Sequence, residues 1–220
     1  MSVVIPFSQA LRERTSAQAV TGDVGCSFMA DLLTGRGTRD DYVQMLAQHF
    51  FVYESLERVA ARWQGDAVAE QFLSPALTRL PAIESDLRFL LGDDWRSLVR
   101  PLPVTADYVA RIESASEWAG GFIAHHYTRY LGDLSGCQIV RSLMQRQFGF
   151  DTNGVGFFLF AEIARPKEFK SVYRRQLDAV DWSPEARERL LDEVVVAYRF
   201  STELFVALAA AKAEAGGAAA

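Results

Sequence analysis

The 220-residue chain has a formal charge of −5 with 23% charged residues, a balance that argues against a general nucleic-acid binder. Half of its residues are hydrophobic, enough for one substantial core at this length. Cys26 and Cys137 make no disulfide framework, no apolar run reaches the roughly 20 residues that span a bilayer, and the N-terminus lacks a secretory leader, so a cytoplasmic protein without a membrane span is expected.

Residues 6–19 read as a first helix with Ser8 as its N-cap. The segment VTGDVGC at 20–26 has low helix propensity and is expected to kink or unwind before the apolar stretch 28–33. Thr38 and Asp41 form an approximate capping box, behind which Tyr42, Met45, Leu46, His49, Phe50, Tyr53, Leu56 and Val59 recur at helical spacing. His49 lies on or beside that stripe, which favours a hydrogen-bonded core histidine over a ligand. A helix over 82–91 follows, then a short one at 95–98. Pro101 and Pro103 are expected to forbid its continuation, and another helix to occupy 106–116. The run FFLF at 157–160 has no partner strand and reads as a buried turn of chain. A helix begins near Pro166, and the last one takes Ser183 as cap and Pro184 at its first position. With no βαβ pattern and no repeat, the chain reads as an all-α, irregular helical bundle: one domain over 1–208 and a low-complexity, frayed tail over 209–220.

The bundle is organised around residues 123–147, IAHHYTRYLGDLSGCQIVRSLMQRQ. Gly132, Asp133, Ser135 and Gly136 are poor helix formers, glycine costing up to about 1 kcal/mol against alanine. Apolar and aromatic residues on both sides nevertheless predict a helix that resumes. Gly132 and Gly136 are spaced i,i+4 and bare one strip of backbone. By spacing alone that strip serves a helix–helix crossing, a flat ligand or a simple loop.

Other chemistry is sparse. No GxGxxG, phosphate loop, HExxH or GxSxG is present. His125 and His126 are adjacent and point about 100° apart on a helix, and Glu54 and Glu57 with a histidine make only a forced dimetal set. Lys167, Lys170 and Arg174 form a basic stripe at i, i+3 and i+7, to which Arg12, Arg14 and Arg129 add positive charge elsewhere. The stripe reads either as a solvated face or as a receiver for the carboxylates of an amphipathic ligand. Asp133, with Tyr53 and Arg129 as partners, could hold water in a small cavity; a buried aspartate of this kind needs a purpose.

The stretch AHHYTRYLGDLSGCQIVRSLMQRQFG resembles the distal-helix signature of bacterial heme oxygenases, whose motif reads GDLSGGQ. The resemblance extends to SAQAV and SFMADLLTGR, to Tyr53 in FFVYESLE and to residues 160–177. It implies a heme oxygenase-like fold with a kinked, glycine-containing distal helix lying against the porphyrin at Gly132, Ser135 and Gly136. It also implies that Asp133 belongs to a distal network with Tyr53, Arg129 and Tyr130, and that Lys170, Arg174 and Arg12 or Arg14 hold the propionates. The family cleaves heme to biliverdin, iron and carbon monoxide using dioxygen and electrons from a reductase. In its first helix a histidine ligates the iron; this chain has Val20 there, with Val24 in place of the supporting glutamate. Cys26 is a weak substitute, six residues or about 9 Å along an intact helix, and Cys137 replaces the last glycine of the distal motif.

The function expected is therefore heme or other tetrapyrrole binding in a heme oxygenase-like pocket. The missing ligand argues against, without excluding, oxidative cleavage. The alternatives are an enzyme of the same fold acting on another small molecule and a non-catalytic partner-binding protein.

Overall fold

The computed structural model describes residues 5–20 and 26–218, the side chains of residues 16–20, Cys26, Cys137 and Ala218 excepted. Nine α-helices occupy the described residues: α1 (Phe7–Val20), α2 (Cys26–Leu33), α3 (Arg39–Arg62), α4 (Leu80–Leu91), α5 (Trp95–Leu98), α6 (Pro103–Ala115), α7 (Ala119–Phe148), α8 (Pro166–Ala179) and α9 (Pro184–Ala218). Single 3₁₀ turns at Ala69–Phe72, Pro75–Leu77 and Gly156–Phe158 complete the path, and no strand occurs among the described residues. The expected kink or unwinding at 21–25, with Gly22, Val24 and Gly25, lies outside the described residues.

The core gathers around α7 and α9, which lie along one another. α3 packs on α4 and α6, and α1 on α9 and α8. Local signals start several of these helices. Thr38 and Asp41 form the capping box of α3 in both directions. Ser183 Oγ accepts from the Ala186 amide at 3.2 Å, with Pro184 opening α9. Two expectations are corrected. Ser8 is not a cap: it sits inside α1, where its amide and hydroxyl donate to the Asp178 carboxylate at 2.7 and 2.8 Å. Pro103 does not delay the next helix but opens α6, since the first turn has no use for its missing N–H.

α9 also departs from expectation at its far end, running as helix to Ala218 where a frayed tail is expected. Lys212 ties it down, its ammonium lying 3.2 Å from Asp31 and 3.0 Å from Asp41. By length and composition α9 is apolar enough to cross a membrane, with mean hydropathy 1.6 and 22% of the apolar window buried. Scattered charges such as Arg199, Glu203 and Lys212 keep it from reading as one apolar run. Leu190, Val194, Ala197, Leu204 and Leu208 place its inner face in the core.

The run FFLF packs as the expected buried turn, and two buried charged groups hold it. Asp86, 1% exposed, accepts from the amides of Gly154, Gly156 and Phe157 at 2.9, 3.0 and 2.8 Å. Arg79 donates to the carbonyls of Phe157 and Leu159. Phe157 in turn meets Tyr53 and His49 edge-on, which fixes the back of α3. Asp86→Ala is expected to cost roughly 3 kcal/mol, since it orphans three amides in a dry site. A urea-unfolding midpoint unchanged from the parent chain would refute that role.

Candidate functional site

α7 changes character along its length. Residues 120–131 are buried without exception, whereas Gly132, Ser135, Gly136, Gln138 and Ile139 are exposed, Ile139 to 67%. The helix nevertheless runs unbroken through the glycines. Ser135 Oγ donates to the Leu131 carbonyl at 2.7 Å, a bond to the preceding turn that bends helices. A Cβ placed on Gly132 or Gly136 would meet no atom within 4 Å. Gly120 and Gly121, at the start of the same helix, differ: a Cβ there would run into the Trp118 ring or the Ala115 carbonyl. The helix therefore carries two packing glycines and, three turns on, two glycines that border open space.

Behind the open strip stands a polar cluster. The Tyr53 hydroxyl donates to Asp133 Oδ2, and the Arg129 guanidinium lies 5.3 Å from the centre of the Tyr53 ring. Tyr130 meets Tyr53 at 5.4 Å and 64°, and its hydroxyl donates to Glu57 Oε1 at 3.4 Å. Burial pushes the Asp133 carboxyl well above the ordinary carboxylate range, so it keeps its proton to higher pH than a solvated aspartate. Burial likewise raises Glu57, against the pull of the Arg79 and Leu80 amides that it caps at the start of α4. The structure thus brings Tyr53, Arg129, Tyr130 and Asp133 together.

Cations gather on the other side. Lys170 Nζ donates to Ser135 Oγ at 2.8 Å, which joins α8 to the glycine strip. Burial first, then the neighbouring Arg174 and Lys167, lower the Lys170 pKa. Burial raises the Tyr127 phenol and Tyr198 adds to it, while the positive charges of Arg174 and Arg12 pull it back. Arg14 does not join them: it pairs with Glu188 at 3.1 Å and Asp192 at 3.3 Å on α9. Val20 ends α1 and Cys26 begins α2, but both side chains, like that of Cys137, lie outside the described residues.

The histidines are structural. His49 Nδ1 lies 2.8 Å from the Met45 carbonyl, and burial lowers its pKa to about 3. The partners of the other two were missed in sequence. His125 Nε2 lies 2.9 Å from Glu193 Oε1, with Arg111 on the same carboxylate, and His126 Nδ1 lies 2.9 Å from the Tyr173 hydroxyl. A lone acid among the apolar positions of α9 was the available signal for Glu193; for Tyr173 there was none. Among the described residues no three His, Cys, Asp or Glu side chains converge as a metal cluster, and Glu57 accepts from the Arg79 and Leu80 amides at the start of α4.

The chain as a whole resembles known proteins. The family model described as heme oxygenase matches residues 5–207. Heme oxygenase 1 of Rattus norvegicus is 31% identical over 212 residues, 93% of this chain and 72% of that protein. Heme oxygenase 1 of Synechocystis is 30% identical over 203 residues, 91% of this chain and 84% of that protein. The solved structure of the Synechocystis heme oxygenase-1 in complex with heme superposes with a TM-score of 0.88 at 29% identity, covering 97% of this chain and 96% of that one. The Leptospira interrogans heme oxygenase gives a TM-score of 0.85 at 29% identity, covering 92% and 99%. By sequence across nearly its whole length and by the course of its helices, this chain belongs to the heme oxygenase family.

Proposed function

We propose that the protein binds heme or a related tetrapyrrole dicarboxylate against Gly132, Ser135 and Gly136 of α7. The observation that carries the reading is the open space beside the two exposed mid-helix glycines, which any Cβ would narrow. Lys170, at the strip through Ser135, and its neighbour Arg174 suit the two propionates, and Arg12 of α1 adds positive charge on the Tyr127 side. The solved Synechocystis relative that contains heme supports the same ligand. Val20 of α1 would belong to the opposite wall, while Tyr130 backs Tyr53 behind the strip.

The fit is incomplete at the metal. The flat face and the carboxylates have partners, but valine offers no donor atom at position 20, and no histidine replaces it. Bound heme would supply redox iron, used in this family with dioxygen and with electrons from a reductase. What the chain's own residues supply is an Asp133 carboxyl that burial pushes toward its protonated form, held by the Tyr53 hydroxyl, with Arg129 against the Tyr53 ring. That retained pair is the observation favouring a second reading, oxidative cleavage to biliverdin, iron and carbon monoxide with a redox partner. Binding is the function the geometry supports best. A single domain in the cytoplasm suits it, with α9 read as a core helix because Glu193 and six apolar positions of α9 are buried.

Titration with hemin is expected to give a saturable Soret band, and its absence in both oxidation states would remove the reading. Lys170→Glu and Arg174→Glu should each weaken hemin binding about tenfold, in line with charge-assisted contacts of roughly 1.5 kcal/mol. The dimethyl ester of hemin should be far less affected. Equal losses for hemin and its ester would show that these cations do not meet the carboxylates. In a single-turnover assay with a reductase, Asp133→Asn should lower any biliverdin yield without changing hemin affinity.

A further inference from the structure

Porphyrin iron in proteins is commonly fixed by an imidazole as well as by the ring, and this chain has three imidazoles to offer. All three are committed elsewhere. His49, His125 and His126 are 6%, 0% and 3% exposed. The His49 ring lies 5.4 Å from Phe157 and 6.3 Å from Phe205, inside the aromatic core. His125 is held by Glu193, itself 6% exposed and paired with Arg111. His126 stacks on Tyr173 with an interplanar angle of 14° while bonded to its hydroxyl. His125 and His126 precede Gly132 by seven and six residues, about 10.5 and 9 Å along the helix axis. To reach a metal beside the glycines, each would have to leave a buried partner without its hydrogen bond.

We infer that the cleft recognises its tetrapyrrole by the flat face and the two carboxylates alone, without a histidine–metal bond, and therefore accepts metal-free porphyrin and open-chain bilin dicarboxylates alongside iron porphyrin. The inference rests on the tetrapyrrole reading and narrows it to a ligand class. An imidazole–iron bond distinguishes hemin from the same ring without iron; apolar contact with the glycine strip and ion pairs at Lys170, Arg174 and Arg12 do not. Removing the one interaction that reads the metal leaves interactions that all three ligands share. A linear tetrapyrrole keeps the two propionates and can fold to present a face to α7. The site is thus one that holds substrate-like and product-like tetrapyrroles on similar terms.

The test is a set of titrations of the full chain with hemin, protoporphyrin IX and biliverdin, followed by absorbance and by quenching of tryptophan fluorescence. Dissociation constants within about tenfold of one another are expected, and added imidazole should shift the hemin spectrum by occupying an open position on the iron. Val20→His should raise the preference for hemin over protoporphyrin IX tenfold or more. Hemin binding a hundredfold tighter than protoporphyrin IX in the unaltered chain, with a spectrum indifferent to imidazole, would mean that the chain supplies a metal ligand after all, Cys26 or Cys137 included. That result overturns the inference and leaves the tetrapyrrole site standing. No saturable binding of any of the three overturns both.

Discussion

Gly136→Leu is expected to weaken hemin binding a hundredfold or more while leaving the fold as stable as before, and Gly136→Ala to stabilise it. The two effects separate a ligand-facing glycine from a packing one. A glycine within a helix costs about 0.5–1 kcal/mol relative to alanine, because it loses more backbone freedom on folding. Where a new Cβ meets no neighbour, as at Gly132 and Gly136, alanine recovers that amount, about 1–4 °C in melting temperature for a chain of this size. A leucine there projects four carbons into the space that a flat ligand would occupy. Gly121 supplies the control. A Cβ at that position collides with the Ala115 carbonyl, so Gly121→Ala should destabilise by about 1–3 kcal/mol and leave binding intact in the protein that remains folded. Paired melting curves and hemin titrations of the three variants decide the matter. A destabilised Gly136→Leu that still binds hemin would return Gly136 to the helix–helix crossing that its spacing alone also allows.

That ambiguity marks where sequence stops being informative in this fold. Signals that act within one turn were readable: the Thr38–Asp41 box and the Ser183–Pro184 start depend only on groups a few residues apart. Ser8 looked like the same kind of signal, but its hydroxyl answers to Asp178, 170 residues away. Periodicity says which face of a helix is apolar and not which element it will meet. It put His49 on the core stripe and could not supply Glu193 for His125 or Tyr173 for His126. The pairing of Tyr53 with Asp133 spans 80 residues, beyond any spacing argument: side-chain chemistry offers Tyr53 as one possible partner, and the family resemblance implies the same network. The open space beside Gly132 and Gly136 is likewise a property of what does not pack there, which composition cannot express. The tail shows a related limit: an alanine-rich end looks unable to bury anything, yet one lysine reaches Asp31 and Asp41 and joins it to α2 and α3.

The buried histidines that leave the cleft without an imidazole also make the fold sensitive to acid. Burial lowers His49 and His126 from 6.5 to about 3. An unfolded chain therefore binds more protons than the native one between those values. The stability each contributes is complete above about pH 6.5 and is lost as the pH falls through that window. At pH 5 the loss is roughly 2 kcal/mol for each, at 1.36 kcal/mol per pH unit over 1.5 units. Buried carboxyls act with the opposite sign. Asp86, Glu57 and Asp133 have raised pKa values and hold protons in the native state that the unfolded chain has released, so they regain stability as the pH falls. The net pH dependence mixes the two sets, and a single-residue comparison separates them. His126→Gln removes one titrating ring whose neighbours are the aromatic rings of Phe122, Tyr130 and Tyr173. It should destabilise at pH 7, where the ring's contacts with Tyr173 are lost, and its deficit relative to the parent chain should shrink by roughly 2 kcal/mol by pH 5. Urea unfolding of both proteins at the two pH values reads that difference directly. A deficit that stays constant between pH 7 and pH 5 would mean that His126 takes up its proton in the native state as easily as in the unfolded one, which its burial against Tyr173 should forbid.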